Sequence, residues 1–301
     1  MKAKLLSRAI TALAICLFML AGCGKRQAGQ VYSDAPGGTG GHTQADKPII
    51  AVTIVPQETF VKAVCGELAE VLTLVPPGNS PENYEPTPTQ MEQLSAASLY
   101  FTIGVPVESA DIIGSVGEMK TISLRDEVEA LYPERSFESG GRDPHIWLSP
   151  KRVMVMVEAI ARELSALDDE NKETYQANAG AYIQQLEQLD KEITSALEGV
   201  SNRKFIVYHP AFGYLAEDYD LTMYSLEEEG KEATPRHLAD MIDLAKSENI
   251  KAIFYQEEID SSQSKAFAEE IGGRTIQLSP LAADYIENLK AMAQLMAEVM
   301  Q

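Results

Sequence analysis

Short apolar runs alternate with amphipathic stretches along most of the chain. In the first half they are Pro48–Val55, Val71–Val75, Leu99–Gly104 and Met119–Leu124. In the second half they are Lys204–Tyr208, Thr222–Leu226, Ala252–Gln256 and Arg274–Leu278. Each run is continuous rather than alternating, the pattern of parallel strands covered on both faces. The stretches between them space their apolar residues as helices do, at Thr59–Leu68, Thr89–Ala97 and Pro235–Glu248. Pro56 stands just ahead of the first, and the last opens on Thr234-Pro235, a cap followed by proline at the first helical position. The alternation predicts an α/β fold with a roughly four-stranded parallel sheet and flanking helices in each half.

Ser149 to about Leu197 breaks this rhythm, because it contains no strand-like run. Ser149-Pro150 reads as a cap and first turn, with Val153, Val157, Ile160 and Leu164 following at helical spacing. A second helix is predicted from about Asp169 to Leu197, with Tyr175, Tyr182, Leu186, Leu189 and Ile193 on one face. At 1.5 Å per residue it spans about 40 Å, enough to cross two lobes as a rigid strut. The expected organisation is an N-terminal lobe at 48–150, linking helices at 151–200 and a C-terminal lobe at 201–301.

The N-terminus follows different rules. Lys2, Lys4 and Arg8 precede an uncharged apolar run from Ala9 to Leu20, which ends in Leu20-Ala21-Gly22-Cys23. The run is shorter than the ~20 residues of a membrane span, and its flanks are those of a secretory signal. The ending resembles a bacterial lipobox, so residues 1–22 are expected to be cleaved and Cys23 to be lipidated. More than one acyl chain at Cys23 gives stable anchoring on the extracytoplasmic face of the cell membrane. Residues 23–47, rich in Gly, Ser, Thr and Gln and poor in apolar side chains, read as a flexible tether. His42 within it reads as a solvated side chain.

Cleavage removes three positive charges and no negative one, so the net charge of −20 becomes −23. Such acidity argues against nucleic acid, whose phosphates demand Lys and Arg. Of three cysteines, Cys16 leaves with the signal and Cys23 takes the lipid, leaving Cys65 unpaired. Neither a disulfide framework nor a thiolate metal cluster can be built.

In an open parallel sheet, ligands bind beyond the carboxyl ends of the strands. Glu82 lies in the loop after Val71–Val75, His145 just before the first long helix, and His209 directly after Phe205–Tyr208. Two imidazoles and a carboxylate from different loops suit zinc, manganese or ferrous iron. Each residue also has an ordinary structural role open to it: Glu82 as a solvated loop acid, His145 packed beside Trp147, His209 capping a turn. His237 reads as a surface residue on its helix, and Glu227-Glu228-Glu229 as a solvated acidic loop.

Four motifs bear on the choice. They are Pro81-Glu82-Asn83-Tyr84-Glu85-Pro86-Thr87-Pro88, Asp143-Pro144-His145-Ile146-Trp147-Leu148-Ser149-Pro150, His209-Pro210-Ala211-Phe212-Gly213-Tyr214, and Pro280-Leu281 with Asp284-Tyr285-Ile286-Glu287-Asn288. In these motifs, residues 48–301 resemble the metal-specific solute-binding lipoproteins of ABC transporters, the zinc-uptake and manganese/adhesin-like group. The resemblance implies two lobes joined by a long helix, with a metal held in the cleft between them. It also implies a monomeric receptor, not an enzyme, that delivers zinc, or alternatively manganese or ferrous iron, to a permease and its ATPase. His145 and His209 match histidine ligand positions of that group. Glu82 stands where the group usually has His, and Ser279 where it usually has Asp. The His-rich loop of many zinc-uptake members is missing here. Gln256, Glu257 and Glu258 at the end of the neighbouring strand are therefore candidates for a fourth ligand, with water as the alternative and the Ser279 hydroxyl a poorer donor. Two further readings are a metal-dependent surface adhesin on the same scaffold and a zinc metallohydrolase. The second lacks both a His-Glu-x-x-His helix and a Gly-x-Ser-x-Gly elbow.

Overall fold

The computed structural model describes residues 47–137, 139–227, 231–259 and 262–301. The expected signal segment, Cys23 and His42 lie outside them. The first sheet consists of β1 (Ile49–Val52), β2 (Glu70–Thr73), β3 (Leu99–Thr102) and β4 (Thr121–Ser123), in the spatial order β2-β1-β3-β4. The second consists of β5 (Lys204–Val207), β6 (Thr222–Ser225), β7 (Ala252–Gln256) and β8 (Arg274–Leu278), in the equivalent order β6-β5-β7-β8. Every pairing is parallel. In each sheet the order reverses at its first strand, so the crevices open beyond the carboxyl ends of β1/β3 and β5/β7.

The continuous apolar runs are explained by burial on both faces. Ile50, Val52, Leu99 and Phe101 point to a core that also holds Phe205, Val207 and Phe254 of the second sheet. Ala51 and Tyr100 point the other way, into a cluster with Leu94 and Val116. Ile206 and Ile253 do the same in the second sheet, against Ala245 and Phe267. The shared core is lined by α5 (Pro150–Leu167) and α6 (Lys172–Glu198), the latter 27 residues long and preceded by a 3-10 turn at Asp169–Asn171. Val153, Met156, Val157, Ile160 and Leu164 of α5 face Tyr175, Leu186, Leu189 and Ile193 of α6 within it. Cys65 is buried and free.

The first helix, α1 (Val55–Cys65), begins four residues earlier than its apolar spacing suggests. Pro56 sits within its first turn, where no N–H is needed. The Gln57 side-chain oxygen accepts from Thr53 N at 3.0 Å and Ile54 N at 3.1 Å, turning strand into helix without a loop. The remaining helices are α2 (Pro88–Ser95), α3 (Ala110–Ser115), α4 (Leu124–Glu129), α7 (Gly213–Asp218), α8 (Pro235–Ser247), α9 (Ser262–Glu270) and α10 (Tyr285–Val299).

The two halves are pinned together by buried polar contacts as well as by the core. Trp147 Nε1 donates to the Pro280 carbonyl at 2.9 Å, and Tyr285 Oη donates to the Trp147 carbonyl at 2.7 Å. Asn288 of α10 donates to the Ser279 carbonyl at 2.8 Å. These bonds account for the Trp147, Pro280, Tyr285 and Asn288 positions of the sequence motifs. Arg152 of α5 is wholly buried, stacked between the rings of Tyr132 and Tyr214 at 5.2 and 4.5 Å. Its guanidinium donates to Asp218 at 2.9 Å and Glu217 at 3.2 Å, both at the end of α7.

Removing one member of a buried ion pair strands the other and costs about 3–5 kcal/mol. The Asp218 side chain is only 8% exposed. Arg152→Ala should therefore lower the stability of the chain by roughly that amount in chemical denaturation. A variant that unfolds at the wild-type midpoint would show that this pair does not hold the halves together.

Candidate metal centre

Each candidate ligand is delivered by a different connection at the cleft. The loop carrying Glu82 is tied at its far end by α2. Thr87 caps that helix and accepts from Gln90 N at 3.3 Å, while the Gln90 side chain reaches back to Thr87 N at 2.9 Å. Gln90 Nε2 also donates to the Leu74 carbonyl beyond β2 at 3.0 Å, and Tyr84 Oη donates to Gln90 Oε1 at 2.9 Å. His145 precedes a 3-10 turn at Ile146–Leu148, after which Ser149 caps α5 through its hydroxyl. His209 follows β5, and the ladder runs on past the strand end, since Tyr208 N donates to the Phe254 carbonyl at 2.7 Å.

These connections bring Glu82, His145 and His209 together, with one ligand atom from each within 4.8 Å of the others. Both histidines are buried and Glu82 is half-buried. Both imidazoles are oriented by carboxylates. Asp143 Oδ1 accepts from His145 Nδ1 at 2.8 Å and from His145 N at 3.0 Å. Glu227 Oε2 accepts from His209 Nδ1 at 3.1 Å. A carboxylate only accepts, so each Nδ1 carries the proton and each Nε2 presents a lone pair. The two Nε2 atoms face one another at 3.2 Å. Lone pairs converging in this way are satisfied by a cation between them. Tetrahedral zinc with bonds of about 2.0–2.1 Å to nitrogen sets its ligand atoms about 3.3 Å apart. Glu82 Oε1 lies 3.9 Å from His145 Nε2, so a small shift of a half-buried carboxylate completes three corners.

Asp143 explains further motif residues. Its Oδ2 accepts from Arg135 Nε at 3.2 Å, and its carbonyl accepts from Tyr214 Oη at 3.2 Å. A Cβ on Gly213 would lie 2.5 Å from both Asp143 Oδ2 and Arg135 Nε, so only glycine admits this approach. Glu227 is the residue that reading the sequence missed. It is buried rather than solvated. The parallel register pairs Val207 with Ser225. Continued by two residues, that register sets His209 beside Glu227, so the signal lay in strand pairing and not in residue type. Glu228 and Glu229 lie outside the described residues.

The cavity beside this cluster measures about 690 Å³, and none of the fourth-ligand candidates Gln256, Glu257, Glu258 and Ser279 lines it. Gln256 is buried with its amide nitrogen unpartnered. Glu257 is exposed and accepts from Gln277 at 3.3 Å. His237 is half-buried rather than a fully exposed surface residue, with Nε2 bonded to the Ser225 carbonyl at 2.9 Å.

The family model of the zinc-uptake complex component A, periplasmic, matches residues 50–299. The chain belongs to this family. It is 30% identical over 265 residues to the zinc-binding lipoprotein AdcA of Streptococcus pneumoniae, covering 82% of this chain and 53% of that protein. It is 29% identical over 285 residues to the high-affinity zinc uptake system protein ZnuA of Bacillus subtilis, covering 89% of this chain and 86% of that protein. A crystal structure of ZnuA superposes with a TM-score of 0.80 at 38% identity, covering 85% of this chain and all of the other, 100%. The periplasmic zinc-binding protein TroA of Treponema pallidum shares the two-lobed fold at 20% identity and a TM-score of 0.79, over 84% of this chain and 99% of that one. The chain spans about half, 52%, of the length of the Streptococcus pyogenes relatives it matches.

Carboxylates that orient ligating histidines are commonly worth 10–100-fold in metal affinity. Glu227→Gln keeps the shape at His209 and removes the charge that fixes its tautomer. Zinc affinity measured by chelator competition should fall by about that factor. An unchanged affinity would show that Glu227 does not orient His209 for a metal.

Proposed function

We propose that this protein captures a divalent transition metal, zinc in the first instance, outside the cytoplasmic membrane and passes it to an ABC importer made of a permease and an ATPase. The observation that carries this reading is the pair of carboxylate-oriented imidazoles whose Nε2 atoms face each other at 3.2 Å, with Glu82 alongside. Glu82, His145 and His209 are the proposed ligands, with the fourth position left open. Manganese and ferrous iron suit the same donors. Lipid on Cys23 would hold the protein at the membrane. The relatives support the reading, since the pneumococcal one is a zinc-binding lipoprotein and the Bacillus one a zinc uptake protein.

The arrangement accounts for both capture and release. Two buried imidazoles held by hydrogen bonds need little reordering to accept an ion, which favours tight binding. Glu82 is the one ligand with appreciable exposure, 26% of its side chain, and it sits on a loop. Loss of its bond leaves the ion on two neutral donors and open to exchange.

A ligand that binds only the folded state stabilises it by about 4 kcal/mol at a thousandfold excess over its Kd. Zinc should therefore raise the melting temperature of metal-stripped protein, and His145→Ala and His209→Ala should each abolish most of the rise. If both variants respond to zinc as the wild type does, the metal is held elsewhere. Anchoring is tested separately. Cys23→Ala should release the protein from membranes or leave it unprocessed. Unchanged membrane partitioning with an undiminished acyl label would exclude Cys23 as the anchor.

A further inference from the structure

The cavity beside Glu82, His145 and His209 is far larger than an ion needs. Its volume is about 690 Å³, whereas a water's share of the liquid is roughly 30 Å³. Sites for small molecules run from about 300 to 1,000 Å³, mostly apolar with a few placed polar groups. This cavity lies in that size range but is the more polar, with Val105, Ile113 and Phe137 sharing its wall with a larger set of polar and charged residues that includes Arg125 and Arg142. Three protein ligands also leave one corner of a tetrahedral shell open.

The charges point to what fills the remaining space. The ionisable lining consists of Arg125 and Arg142 against Glu82, Glu108 and Asp126, together with the two histidines. Both guanidiniums already have carboxylate partners, Arg125 in Asp126 and Glu129 and Arg142 in Glu134, so a bound divalent ion adds two positive charges beside them. Glu108 cannot serve as a further partner of Arg142. Its oxygens already accept from Ile103 N, Gly104 N and the Thr53 hydroxyl. Arg142 donates through Nη2 to the Gly104 carbonyl and pairs through Nε with Glu134 at 3.3 Å. Its Nη1 is buried without a partner. Buried donors are normally satisfied, so a guanidinium with an unused N–H beside a cavity calls for an acceptor.

Resting on the metal-capture reading above, we propose that the cleft takes its ion together with a small polycarboxylate. One carboxylate oxygen fills the open corner of the metal's shell, and a second carboxylate pairs with the Arg142 guanidinium. Guanidinium matches carboxylate in both charge and planar geometry, and such charge-assisted pairs are among the stronger polar contacts. The site without metal carries three carboxylates against two guanidiniums and should reject the anion, so the ion and the acid bind as a unit.

The test uses the full chain, zinc in a metal buffer that fixes its free concentration, and citrate as the probe. Citrate in millimolar excess should lower the free zinc needed for half-saturation about tenfold, the worth of one good charged pair. Zinc-loaded protein should retain radiolabelled citrate, and metal-free protein should not. In Arg142→Gln the citrate effect, taken as a ratio to that variant's own half-saturation with zinc alone, should disappear. Should that variant not fold, retention of citrate by zinc-loaded wild type decides the matter. Half-saturation at the same free zinc with and without citrate would overturn the proposal and leave the fourth corner to water. An equal shift with inorganic phosphate would overturn the polycarboxylate assignment. Absence of zinc binding under both conditions would instead overturn the metal reading on which the proposal stands.

Discussion

The Asp143 side chain has no exposed surface, and a carboxylate in that position persists only where its lone pairs are used. Oδ1 accepts two N–H groups of His145 and Oδ2 accepts the Arg135 Nε. That one requirement shapes much of the surrounding structure. It bends the Asp143-Pro144-His145 turn, sets the His145 tautomer, draws Arg135 inward and keeps position 213 as glycine. Arg135 also lies 3.7 Å from Glu217, which pairs in turn with Arg152. His145 is thereby linked through fixed charges to the contact between α5 and α7, where the halves meet. A capture site built between two halves depends on their staying in register, and this chain of ion pairs spans that boundary.

The second histidine is held by the same chemistry from a different source. Glu227 comes from the extension of β6, the edge strand beside β5, and the ladder bonds Leu226 N to the Val207 carbonyl at 3.0 Å and Glu227 N to the Tyr208 carbonyl at 2.9 Å carry it into place. Backbone hydrogen bonding therefore positions the carboxylate, and the carboxylate positions the imidazole. On the first histidine's side a turn performs this task, and on the second a sheet does. Rigid backbone in both cases leaves the imidazoles little freedom, which is how an ordered site avoids a large entropic cost when an ion arrives.

How much of this could be read from the chain alone depends on the range of the physics involved. The eight strands were legible, because double-sided burial imposes continuous apolar runs such as Phe205-Ile206-Val207. The strut at Lys172–Glu198 was legible from helical spacing over many turns. The start of α1 was not, because the Gln57 bond to Thr53 and Ile54 is a side-chain event that periodicity does not record. Glu82, His145 and His209 stood out by residue type and by their places after strands or ahead of a helix. Glu227 did not, because its neighbours Glu228 and Glu229 make it look like part of a solvated acidic run, and its burial follows from a register that local sequence does not carry. Arg142 went unremarked for a related reason. A lone arginine in a loop acquires meaning only when a cavity forms beside it.

Glu82 and the histidines differ in a way that bears on how such a site works. The histidines are 3% and 4% exposed as residues, each with its Nδ1 committed to a carboxylate. Glu82 is on a loop whose bonds lie on either side of it, Glu82 N to Ser80 Oγ at 3.3 Å and Val107 N to the Pro81 carbonyl at 3.1 Å, while its carboxylate is partly open to solvent. A site made of three buried, fixed donors would bind well and release slowly, since most of the range in affinity among related complexes lies in the rate of departure. Replacing one imidazole by a carboxylate on a loop adds an anionic charge that attracts the cation on arrival. It also supplies the one bond that can break without disturbing the core. In the proposed role the protein must hold its ion in transit and still surrender it, and the unequal anchoring of the three proposed ligands meets both demands.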